Sequence, residues 1–234
     1  MPKLTDFWIT AVSAIGFAIL EYIFKHNLYV FFIPHCKEQK NLKERDMRSR
    51  KGCFSVYRMF YFMFAVAWGY AILKDQEYLP PSLGGSGDIN TGWKNIKYAE
   101  HAPGMKLYSL VTMGYHVGGL VTHFMHAQGS DFVEMALHHF CAFYLFFGYY
   151  MSNAWEVGMT VAFLHDIADI WANITKFMSN TTWTKITVFL FLSNMVVWAY
   201  TRMYVLPYEV IYHALYLNCP GFKSVGMGNM PNII

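Results

Sequence analysis

Charge is scarce in this chain of 234 residues: Asp, Glu, Lys and Arg together make up only 14%. Set against 55% hydrophobic and 19% aromatic residues, that scarcity excludes an ordinary soluble globule and points to a polytopic membrane protein. Cysteines in metal-ligand spacing are lacking too. Cys36, Cys53, Cys141 and Cys219 are scattered, so they read as packed free thiols. No removable leader is evident, because MPKLTDF runs straight into an apolar stretch without an Arg-rich presequence or a small-residue cleavage site. The net charge of +3 comes from one segment, which excludes a nucleic-acid partner.

What is present is a series of apolar runs near 7–33, 54–73, 105–126, 132–150, 154–178 and 183–206. They predict an all-α polytopic membrane bundle of about six transmembrane helices, each long enough to cross ~30 Å of hydrocarbon. Glu21, Lys25 and His26 interrupt the first run, which reads as a short span followed by an interfacial helix. The expected organisation is an N-terminal membrane helix (1–36), a basic loop (37–53), a helical domain (54–217) and a C-terminal tail (218–234). The basic loop carries Lys37, Lys40, Lys43, Arg45, Arg48, Arg50 and Lys51, which places it on the cytosolic or matrix side. The PPSLGGSGD connection within 74–103 then falls on the opposite side, and the loop around Lys176 and Lys185 returns to the basic one.

Gly114 and Gly118, four apart, allow close approach of two helix backbones. His116, His123 and His126 share that third helix; they read as hydrogen-bonded groups in the bundle or as part of a cavity wall. No carboxylate joins their stripe, so no metal site is expected. A di-iron hydroxylase would need more clustered histidines than HFMH and HH supply.

The densest chemistry lies between Asp131 and Lys176, where His138, His139, His165, Asp166 and Asp169 sit inside otherwise apolar helices. The two central aspartates alone oppose insertion by about 5–7 kcal/mol. His165, Asp169, Asn173 and Lys176 form one stripe at helical spacing, and Glu134 lies one turn before His138. Imidazoles beside carboxylates suit a general base or a nucleophile near neutral pH.

The run DFVEMALHH, then GYYMSN, then HDIAD with a Lys seven residues later resembles the signature of the TLC-domain proteins, whose best-known enzymes are the ceramide synthases. The resemblance is densest over 131–176, with weaker echoes in YSLVTMGYHVGGL and TRMYVLPYEVIYHALY. It implies N-acyl transfer from acyl-CoA to a sphingoid amine, with His138, His139, His165, Asp166 and Asp169 as the catalytic set. Lys176, Asn173, His116 and His123 are then candidate substrate-binding residues. No tightly bound cofactor is implied, acyl-CoA being a co-substrate, and membrane lipids are the remaining partners. The family points to the endoplasmic reticulum. The alternative is a non-catalytic subunit of a large membrane complex, with other membrane subunits as partners and the mitochondrial inner membrane as its location. Three positions depart from the family pattern: Glu156 where Arg is usual, Asn173 where Glu is usual, and Gly148 where Ser commonly precedes the Tyr. The family normally adds another membrane helix after the equivalent of YEVIYHALY, whereas LNCPGFKSVGMGNMPNII contains no spanning segment.

Overall fold

The computed structural model describes residues 2–37, 39–93, 101–125 and 132–217. His126, Asp131 and the tail 218–234 lie outside the described residues. Six helices follow one another: α1 (Phe7–Phe32), α2 (Leu42–Leu73), α3 (Met105–Met125), α4 (Phe132–Met151), α5 (Trp155–Ser179) and α6 (Thr184–Ala199). No strand is found among the described residues, so the expected all-α bundle is what forms. Leu4–His35, Leu42–Leu73 and Thr184–Leu215 are each long and apolar enough to cross a membrane. α3, α4 and α5 are 21, 20 and 25 residues long. His116 and His123 interrupt the apolar surface of α3, and the ionisable residues of the motif interrupt those of α4 and α5.

Three boundaries differ from the sequence reading. α1 is one unbroken helix: Glu21 pairs with Lys25 one turn on and accepts a hydrogen bond from Thr122 Oγ1 at 2.9 Å, so its charge is satisfied within the bundle. The basic segment is helical from Leu42 rather than a loop. Asn41 caps α2 by accepting from the Glu44 amide, and the pairs Glu44–Arg48 and Asp46–Arg50 support its first three turns. Replacing Asn41 with Ala is expected to cost about 1 kcal/mol of local stability. Hydrogen exchange would read this as faster exchange confined to the first turn of α2. Finally, α6 passes at Tyr200 into a π-helical stretch, Tyr200–Ile211, that contains Pro207 and resumes over His213–Leu217. The Tyr212 amide reaches back to the Pro207 carbonyl, five residues earlier.

The packing order is set by small residues and aromatic stacks. α3 lies against α1 where Gly114 and Gly118 remove side chains. A Cβ on Gly118 would come within 2.6 Å of the Ala14 carbonyl oxygen. Thr10 Oγ1 donates to the Leu110 carbonyl across the same seam at 3.1 Å. α2 packs along α5, α3 along α4, and α5 along α6, whereas α4 and α5 touch only sparsely. The gap between α4 and α5 is where the site forms. At the end of that pair, His101 bridges Glu156 Oε1 at 2.7 Å and Asn153 Oδ1 at 2.9 Å, and stacks on Trp155. Glu156, which stands where the resemblance leads one to expect Arg, thus has a partly buried partner in the segment before α3.

Candidate functional site

Two cavities lie end to end along α4 and α5. The first is a groove of about 400 Å³ whose walls carry His116, His138, His165, Asp166 and Asp169 at one end. The rest of the groove is apolar, and Tyr144 and Leu145 on its rim are exposed on the outside of the bundle. Its volume is within the usual range for a ligand pocket, roughly 300–1,000 Å³. The second cavity, of about 510 Å³, is lined by Lys25, Arg50, Lys51, Arg58 and Lys176, with Glu21 the one carboxylate on its wall. His123 and Asn173 line it as well.

The linings of the two cavities come within about one helical turn of each other on α4 and on α5. On α4, Met135 faces the basic cavity and His138, one turn on, faces the groove. On α5, Asn173 faces the basic cavity and Asp169, one turn back, faces the groove. His138 and Asp169 therefore stand at the boundary between a cationic chamber and an apolar one.

Each side chain is positioned by a neighbour. His165 Nδ1 donates to the Val161 carbonyl at 2.8 Å, which leaves Nε2 as the ring's acceptor. Asp166 is buried and accepts from the Tyr108 hydroxyl at 3.2 Å. Asp169 lies 4.0 Å from Arg202 of the π-helical stretch and within Coulombic range of His138. His116 reaches in from α3, its ring centroid 6.1 Å from that of His138. Its Nδ1 is buried and has no hydrogen-bond partner among the described residues.

His139 does not share the groove. Adjacent residues on a helix point about 100° apart, so while His138 enters the groove, His139 turns toward α2 and α3. It is buried against Gly119, and its Nε2 accepts from Arg58 at 3.3 Å. Arg58 in turn stacks on Phe54, 3.9 Å from the ring centroid, and lines the basic cavity. His139 thus ties α4 to Arg58, a cation on the wall of the basic cavity. Replacing Arg58 with Met should lower stability by about 1–3 kcal/mol, because the His139 acceptor is left buried and unpaired. A thermal scan would show this as a fall of several degrees.

Of the residues singled out from sequence, His116, His138, His165, Asp166 and Asp169 come together in the groove. His123, Asn173 and Lys176 belong to the basic cavity, so the stripe on α5 is divided between the two chambers. Glu134 is exposed and lines neither. The sequence reading overlooked Arg58, Arg202 and Tyr108. Lone arginines in the apolar runs SVYRMFYF and AYTRMYV were the available signal, since an ionisable group at such a place needs a partner. No cluster of three or more His, Cys, Asp or Glu side chains able to hold a metal ion occurs among the described residues.

The TLC-domain family model matches residues 51–231, which include α3, α4, α5 and α2 from Lys51 onward. The chain belongs to the TLC-domain family. It is an integral membrane protein. Among curated proteins it is similar to ceramide synthase 4 of Mus musculus, 28% identical over 175 residues, covering 74% of this chain and 42% of that protein. Ceramide synthase 4 of Bos taurus is 23% identical over 184 residues, covering 79% of this chain and 44% of that protein. Ceramide synthase hyl-2 of Caenorhabditis elegans is 22% identical over 220 residues, covering 90% of this chain and 64% of that protein. The chain therefore spans less than two thirds of the length of these relatives.

Proposed function

We propose that this TLC-domain protein transfers a long-chain acyl group from acyl-CoA to a sphingoid amine, in the endoplasmic reticulum membrane. The observation that carries the reading is the boundary between the two cavities. An acyl thioester has a polyanionic head and an apolar tail joined at the reacting carbon. Cations line one chamber, apolar side chains line the other, and His138 and Asp169 stand between them.

In this reading the phosphates of CoA occupy the basic cavity, near Arg50, Lys51, Arg58 and Lys176, with His123 and Asn173 on its wall. The acyl tail lies in the groove, and the thioester carbon sits beside His138. The amine nitrogen attacks that carbon, the C–N bond forms and the C–S bond breaks. His138 takes the proton released by the amine and returns it to the departing thiolate. Asp169, itself opposed by Arg202, steadies the imidazolium formed in between. His116 and His165 offer further imidazole nitrogens to the polar head of the amine substrate. The open rim at Tyr144 and Leu145 lets lipid tails enter sideways from the bilayer.

The test is direct: the protein purified into lipid nanodiscs is given palmitoyl-CoA and sphinganine, and N-acyl product is measured by mass spectrometry. Product formation supports the reading. Its absence from a folded, monodisperse sample sinks it and leaves the non-catalytic membrane-subunit reading in its place.

A further inference from the structure

Asn173 carries a polar atom that the bundle leaves without a partner. The residue is 6% exposed and lines the basic cavity. Its Nδ2 donates to the Asp169 carbonyl at 2.7 Å, which fixes the two ends of the amide. Its Oδ1 is buried and has no hydrogen-bond partner among the described residues. No other buried side-chain nitrogen or oxygen on the described wall of this cavity is left in that state. A buried acceptor without a donor costs the free energy of its lost hydration, so a group that brings a donor into the cavity gains from meeting it.

The surroundings narrow the choice of donor. Lys25, Arg50, Lys51, Arg58 and Lys176 line the same cavity, so a cationic donor is repelled from it and an uncharged one is favoured. Position narrows it further. Asn173 stands one helical turn, ~6 Å, from Asp169, which lines the groove. In the acyl-transfer reading, on which this inference rests, the thioester carbon lies at the level of His138 and Asp169, and the arm that joins it to the phosphates passes Asn173. The first N–H on that arm belongs to the cysteamine amide. It lies roughly 5 Å from the thioester carbon in an extended chain, at ~1.2 Å per bond. The spacing on the helix and the spacing on the ligand agree. The sequence resemblance leads one to expect Glu at this position. Asn differs in donating to the Asp169 carbonyl while keeping an acceptor without a charge to oppose the phosphates of the same ligand.

We propose that Asn173 is a specificity residue for the acyl donor. Its Oδ1 accepts a hydrogen bond from the cysteamine amide N–H of acyl-CoA, and this contact sets the depth at which the thioester stops beside His138.

The test changes ligand and residue together, which a folding defect cannot imitate. Two unreactive probes are compared by native mass spectrometry of the nanodisc-embedded protein. One is hexadecyl-CoA thioether, and the other is its isostere with an ester oxygen in place of the cysteamine N–H. The wild type should bind the N–H probe about tenfold more tightly. Asn173→Leu, similar in volume, should bring the ratio to about one by weakening the N–H probe. Asn173→Asp keeps an acceptor, so the preference should persist at about tenfold or more while both probes bind more weakly beside the added negative charge. Should the Leu variant not fold, Asn173→Ala takes its place with the same expected ratio. Equal binding of the two probes by the wild type, or the wild-type ratio in the apolar variant, overturns the role of Asn173 and leaves the acyl-CoA reading standing. Failure of the folded wild type to bind either probe overturns both.

Discussion

His138→Ala should lower amide formation by about 10²–10⁴-fold while the protein stays folded in the membrane. The ring projects into the groove and no hydrogen bond ties it to its surroundings among the described residues, so its removal leaves the helices where they are. Asp169→Asn should produce a loss of the same order, because an amide cannot stabilise the imidazolium that forms as the amine gives up its proton. The neighbouring His139→Ala behaves differently. It strips the acceptor from a buried Arg58, so its first effect is a lower melting temperature. Product formation and thermal unfolding measured on all three variants separate these cases. Full activity in His138→Ala would end its assignment as the reacting imidazole.

Gly118→Val carries the largest expected effect on stability. Its Cβ alone would lie 2.6 Å from the Ala14 carbonyl oxygen, a backbone atom that cannot rotate aside. The β-branched side chain would force α3 away from α1, and with it His116 away from the groove. Overpacking of this kind costs about 3 kcal/mol, or roughly 6–12 °C in melting temperature for a chain of this size. Gly16→Val on α1 is the control, since a Cβ there meets nothing within 4 Å. Equal melting temperatures for the two variants would contradict close packing of the α1–α3 seam.

The parts of this architecture written into local sequence were legible before the fold. Six apolar runs gave six helices, and the small residues Gly114 and Gly118 marked the seam that α1 fills. The histidine and aspartate motif located the groove because ionisable groups in apolar helices need a polar site. The helical start of α2 was also present, in the Asn41 cap and its two acid–base pairs, but the density of lysine and arginine read as a loop. The separation of His138 from His139 follows from helix geometry alone, yet the paired motif drew both into one site.

Other features depend on how helices meet. The stripe from His165 to Lys176 is continuous on α5, yet His165 and Asp169 line one chamber and Asn173 and Lys176 the other. Arg202 comes to 4.0 Å from Asp169 out of a π-helical stretch, which no local pattern announces. Arg58 lies some 80 residues from His139 in the sequence, and tertiary packing alone brings them to 3.3 Å.

The central claim is that the reacting carbon sits where the cationic and apolar chambers meet. The most direct measurement is a cryo-electron-microscopy structure of the nanodisc-embedded protein with a 16-carbon S-alkyl-CoA thioether. The account predicts phosphate density beside Arg50, Lys51 and Arg58, sulfur density beside His138 and Asp169, and the alkyl tail along the apolar groove between α4 and α5. Density for the head group in the apolar groove, or a tail lying outside the groove against α6, would contradict it.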